Sequence, residues 1–89
     1  MDIERYRVRL QKIQAALKQK KIVYTYVEED GCGSIDFEFR GLRYHIWEFQ
    51  DSEWGVETNV YLAGRSEDIL GDYETKISNL ICTWPDMAR

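Results

Sequence analysis

Proline, histidine and cysteine are nearly missing from this chain, which has one Pro85, one His45 and two cysteines, Cys32 and Cys82. A lone histidine restricts acid–base chemistry near neutral pH, because no other side chain has an unperturbed pKa there. The two cysteines lie far apart and lack metal-ligand spacing. No charged-then-apolar leader opens the sequence, so the chain reads as cytoplasmic with both thiols reduced. No apolar run approaches the roughly 20 residues needed to span a bilayer, and no membrane association is expected. Internal repeats and low-complexity linkers are also missing. So are a glycine-rich phosphate loop, a paired His–Glu metal spacing and a Ser–His–Asp order. These absences leave no catalytic constellation, cofactor site or metal site to assign, and the expectation is a non-enzymatic protein.

Aromatic residues are what the chain does have: three Trp, six Tyr and three Phe in 89 residues. A domain of this size buries only about 60–65% of the surface its unfolded chain exposes, so large side chains must supply much of its core. The whole chain, 1–89, is expected to form one domain, with 86–89 a loose tail. Hydrophobic residues make up 44% and charged residues 31%, a folded rather than disordered composition. The net charge of -4 is unevenly spread. Met1 to Lys21 carries seven basic and two acidic side chains, leaving five basic and fourteen acidic for the rest.

Ile3, Tyr6, Leu10, Ile13 and Leu17 recur at three- and four-residue steps, which predicts an amphipathic helix over 2–20. The period then changes to two. Strands are expected over 22–28, 34–40, 42–49 and 53–62, separated by a turn at 29–33, a tight hairpin at Arg40-Gly41 and a turn at 50–52. The tight hairpin pairs Phe39 with Leu42, Phe37 with Tyr44 and Ile35 with Ile46, all apolar and on one face. The third turn is expected to set His45 beside Glu57 and Trp47 beside Gly55. Ser66 is a plausible N-cap with Glu67 and Asp68 in the first turn of a second helix. Its stripe runs through Ile69, Leu70, Tyr73, Ile77, Leu80, Ile81 and Trp84 until Pro85 stops it. The predicted fold is α+β in two layers. A four-stranded antiparallel meander carries N- and C-terminal helices on one face, in the order α-β-β-β-β-α.

That arrangement leaves the other sheet face uncovered. Asp36, His45 and Glu57 would form a row across it. The row is either a carboxylate-flanked imidazole suited to base or weak metal chemistry, or the cross-strand charge pairing of a solvated face. Trp47 and Phe49 stand where alternation calls for polar residues. Arg43, His45, Trp47, Phe49 and Tyr61 are therefore the candidate interface, for a protein partner or a second copy of the chain. The competing readings are that the tail folds over these aromatics, or that Trp47 shields Gly55. Arg5, Arg9 and Lys12 mark a candidate basic face on the first helix, and the alternative function is nucleic-acid association through it. Cys32 is expected in an exposed loop, where Glu28, Glu29 and Asp30 raise its pKa and make it a poor nucleophile. Cys82 is expected to be a small buried or half-buried filler.

The helix–sheet–helix order resembles that of the double-stranded-RNA-binding domain, but Ser66-Glu67-Asp68 is acidic where phosphate contacts would be needed. It is also similar to that of frataxin-like proteins, whose acidic ridge begins on a first helix that is basic here. Both resemblances concern the order of elements and imply no activity.

Overall fold

A computed structural model describes residues 8–62 and 64–85. The elements are α1 (Gln11–Gln19), β1 (Tyr24–Glu29), β2 (Cys32–Phe39), β3 (Leu42–Gln50), β4 (Trp54–Leu62), β5 (Arg65–Leu70) and α2 (Tyr73–Cys82). The class is α+β and the sheet is an antiparallel meander, but it has five strands in the order β1-β2-β3-β4-β5. The expected four-strand count is corrected by β5.

The first two hairpins follow from local chemistry. Asp30-Gly31 and Arg40-Gly41 both carry positive φ at each turn residue, 53° and 81° in the first and 55° and 83° in the second. That geometry matches the right-handed twist of the flanking strands, and glycine adopts it at no steric cost. The expected pairs Phe39–Leu42, Phe37–Tyr44 and Ile35–Ile46 are all present. The first turn is shorter than expected, so Cys32 begins β2 and is half-buried instead of lying in an exposed loop.

The third turn is shifted. Gln50 pairs with Trp54, which sets Trp47 opposite Glu57 and Phe49 opposite Gly55. The expected register, with His45 beside Glu57 and Trp47 beside Gly55, is thus off by two residues. A two-residue slip preserves the alternation of side chains, so the assignment of faces survives it.

Residues 65–70 are strand, not the first turns of a helix. Gly64, with φ 77°, turns the chain back along β4, and Gly71, also at φ 77°, ends the new strand. Asp72, not Ser66, then caps α2, its carboxylate accepting from the Thr75 N–H at 3.3 Å. At the other end of the chain, Leu10 takes φ 57° and interrupts the helix predicted over 2–20, so that α1 starts at Gln11. A left-handed leucine costs about 1–2 kcal/mol, and here it turns a fully buried side chain into the core. Residues 1–7 lie outside the described part of the chain, as do 86–89, where a loose tail was expected.

Both helices pack on the inner face of the sheet. Leu10, Ile13 and Leu17 meet Ile35, Ile46, Val56, Ile77 and Ile81 in a single cluster. Beyond the end of α2, Trp84 stacks on Phe39 with ring centroids 4.6 Å apart and planes 13° off parallel. Cys82 is exposed, not a core filler.

Candidate functional site

Alternation places Thr25, Val27, Ser34, Asp36, Glu38, Arg43, His45, Trp47, Phe49, Gly55, Glu57 and Asn59 on the sheet face opposite both described helices. The five candidate interface residues do not form one patch. Arg43, His45 and Trp47 converge with Asp36 and Glu38 on a shallow groove that reaches Val23 at the β1 edge. Phe49 is half-buried because it lies over Gly55, where an added Cβ would sit 2.8 Å from Phe49 Cζ and 2.5 Å from Leu70 Cδ2. The shield over the strand glycine is therefore Phe49, where Trp47 was expected. Tyr61 is exposed within the irregular part of the β4–β5 ladder, its phenol pKa pushed up by burial and by Glu67.

The contact over Gly55 makes a direct prediction. An alanine there must displace Phe49 and Leu70 and would also meet the Ile69 carbonyl at 3.0 Å. Overpacking of this kind costs about 1–3 kcal/mol. Gly55→Ala should lower the urea midpoint with little change in the slope of unfolding free energy against urea.

Trp47 is held upright by its neighbours. Its indole N–H donates to Asp36 Oδ1 at 3.1 Å, and its ring lies 4.3 Å from that of His45. Asp36 and His45 are direct cross-strand partners, as expected. Glu57 still reaches His45 Nε2, at 3.8 Å, although it stands opposite Trp47. The same nitrogen lies 3.0 Å from Ser66 Oγ, a neighbour that a helix capped at Ser66 would not supply. A nucleophilic serine needs the orienting carboxylate on the other ring nitrogen. Here hydroxyl and carboxylate share one nitrogen, so the cluster is a surface hydrogen-bond network. Among the described residues, no group of three or more His, Cys, Asp and Glu side chains is placed to hold a metal ion.

Asn59 explains how Ser66 arrives. The β3–β4 ladder ends at Ile46–Thr58, and past it the Asn59 side chain stands in for backbone. It accepts from the His45 N–H at 3.0 Å and donates to the Arg43 carbonyl at 3.0 Å, while Thr58 Oγ1 donates to the His45 carbonyl at 2.6 Å. These bonds let β4 part from β3 without leaving buried backbone groups unpaired.

The basic face is dispersed. Arg5 lies outside the described residues. Arg9 precedes α1 and turns inward, donating to Glu48 through Nε at 3.0 Å and Nη2 at 2.8 Å, with its guanidinium over the Trp54 ring. Lys12 lies against α2, its N–H on Glu74 Oε1 at 3.0 Å and its Nζ on Thr75 Oγ1 at 3.1 Å.

Glu48 itself is the residue sequence reasoning missed. Its side chain has no solvent exposure. Besides Arg9 it accepts from the Gly33 N–H at 2.9 Å and from Tyr73 Oη at 2.5 Å. Burial pushes its pKa up, but the bonds from Arg9, Tyr73 and Gly33 outweigh burial and hold it below the ordinary 4.5. The Cys32 thiol is pushed up instead, first by burial and then by Glu48, so it is a poor nucleophile.

No protein-family model, curated protein or solved structure matches the chain.

Proposed function

We propose that this chain is a small protein-interaction module that self-associates through the uncovered face of its sheet, with Trp47 as the anchoring side chain. The observation that carries this reading is a 42% exposed tryptophan on the sheet face that neither described helix covers. Its N–H is already bonded to Asp36, so what Trp47 offers a partner is apolar ring surface. Val27 lies two strands away in the same row, and Leu70 stands opposite Gly55, both exposed. Asp36, Glu38, Arg43 and Glu57 surround this apolar centre, the composition of an interface core with a polar rim. Because the rim carries both signs of charge, it is suited to pairing with a copy of itself about a two-fold axis.

Sedimentation at high micromolar concentration tests the reading. The wild type should show a concentration-dependent dimer. Loss of a central aromatic anchor costs about 2 kcal/mol or more, so Trp47→Ser should weaken that dimer roughly thirtyfold. Measured at concentrations where both proteins are monomeric, the urea midpoint should stay where it was, because an exposed side chain contributes little to folding. A wild type that stays monomeric, or a Trp47→Ser variant that associates equally well, overturns the proposal.

A further inference from the structure

Arg9 reaches Glu48 through a socket that other elements build. The carboxylate stands on β3 with its side chain fully buried, held by the Gly33 N–H of β2 at 2.9 Å and the Tyr73 hydroxyl of α2 at 2.5 Å. Trp54 of β4 supplies one wall, its ring centroid 4.5 Å from the guanidinium carbon. These four residues belong to three strands and a helix, so the sheet and α2 set their positions. The socket is open on one side. Arg9's side chain is 26% exposed, whereas that of Glu48 has no exposure.

The segment that carries Arg9 is anchored by its backbone. The Arg9 N–H donates to Tyr26 Oη at 2.8 Å, and the Arg9 carbonyl accepts from Gln14 Nε2 at 2.8 Å. Gln14 is fixed in turn by the Tyr24 hydroxyl, which donates to its Oε1 at 2.7 Å. The Arg9 Cβ packs over Gly33, where an added Cβ would come within 3.0 Å of it. An alanine at position 9 retains all of these contacts. It removes only the atoms from Cγ outward, and so empties the socket while leaving its rim in place.

We infer that the socket over Glu48 is a guanidinium receptor, and that Arg9 is a tethered ligand which keeps it closed to guanidinium groups of other molecules. The arrangement selects a guanidinium fork over an ammonium. Nε and Nη2 run side by side to the two Glu48 oxygens, at 3.0 and 2.8 Å, while the group lies over the indole. A lysine ammonium is a point charge with no planar fork, and cannot make the paired bonds. Both the bonds and the cation–π contact gain strength where Glu48 is shielded from water. The receptor lies on the helix-bearing side of the sheet, opposite Trp47, and stands or falls independently of the dimer proposed there.

Ligand binding to Arg9→Ala tests the inference, with ethylguanidinium as the probe because its heavy atoms are those that alanine removes. The Gly33 amide resonance should move saturably, with a dissociation constant on the order of millimolar for so small a ligand. At ten times that concentration the folding equilibrium constant should rise about elevenfold, measured by urea unfolding at constant ionic strength. A variant too unstable to fold alone is refolded in trimethylamine oxide and titrated there. Propylammonium should give neither response, and Arg9→Ala/Glu48→Gln should not respond to ethylguanidinium. In the wild type the tethered Arg9 already fills the socket, so its Gly33 amide should stay in place at concentrations that saturate the variant. An equal response to propylammonium, a response that survives Glu48→Gln, or no saturable response in Arg9→Ala overturns the inference. So does a wild type that responds as the variant does.

Discussion

Glu48→Ala is expected to cost about 3–5 kcal/mol of folding stability, the range for removing one partner of a buried ion pair. An 89-residue domain has on the order of 5–13 kcal/mol in total, so this variant should be at or near the edge of folding. The cost arises because Glu48 joins four parts of the molecule. Arg9 enters from the segment before α1, Gly33 from β2 and Tyr73 from the first turn of α2, while Glu48 stands on β3. Alanine strands a guanidinium, a phenol and a backbone N–H at once. Partial repair should be graded. Arg9→Met/Glu48→Leu removes both charges but leaves the Gly33 N–H and the Tyr73 hydroxyl unpaired. Adding Tyr73→Phe should therefore recover more, and the Gly33 donor should keep the triple variant below wild type. Urea denaturation of the series checks the ranking; a double variant as stable as the wild type would mean that the Gly33 and Tyr73 bonds contribute nothing.

The same cluster sets a pH window. A carboxylate whose folded pKa is depressed supplies stability that is complete above its unfolded value, and loses it as pH falls through the folded value. For Glu48 the loss should begin near pH 4.5 and deepen below it. Tyr73 gives the other limb. Burial first, and then the bond to Glu48, raise its phenol pKa above the ordinary 10, so the folded state keeps a proton that the unfolded chain releases. Stability should fall as pH rises above about 10. A Tyr73→Phe variant should flatten the alkaline limb and leave much of the acid limb.

Much of this fold was legible from local pattern, and the exceptions have specific physical causes. Arg40-Gly41 fixed the β2–β3 register because a two-residue turn leaves no freedom. The looser loop before Trp54 allowed a two-residue slip, which moved every β3–β4 pair yet left each side chain on its expected face. Residues 65–70 contain no glycine or proline, and Ile69, Leu70 and Tyr73 fit a helical period as well as they fit alternation followed by a new helix. The strand wins because the turn at Gly64 returns the chain to the open edge of β4, a long-range gain absent from any local window. Glu48 was also legible in part. Leu42, Tyr44, Ile46 and Glu48 share a parity, and a carboxylate on an apolar parity demands a buried cation. What the pattern did not show was that Arg9 would supply it, since Arg9 sits within a helical period until Leu10 breaks it. Trp47 and Phe49 separate for a comparable reason: the slipped register assigns Gly55 to Phe49 and leaves Trp47 uncovered.

Trp84→Ala is the second large effect expected, at about 3 kcal/mol, the lower end for a buried tryptophan because the ring is half-buried. Trp84 closes the far end of the core. Its ring stacks on Phe39 and lies 5.5 Å from Tyr44 and 6.1 Å from Phe37; its backbone N–H, which alanine retains, donates to the Ile81 carbonyl at 3.0 Å. Removing it exposes the β2–β3 tip and frees the end of α2 from the sheet. Trp84→Phe keeps an aromatic face against Phe39 and should cost less than half as much. The comparison with Trp47 gives the experiment its force, because the two tryptophans stand on opposite faces of one sheet. Trp84→Ala should lower the urea midpoint and leave the association of the remaining folded protein unchanged, whereas Trp47→Ser should do the reverse. If Trp47→Ser destabilised the monomer as much as Trp84→Ala does, Trp47 would be a packing residue, and the uncovered face would lose its anchor as an interface.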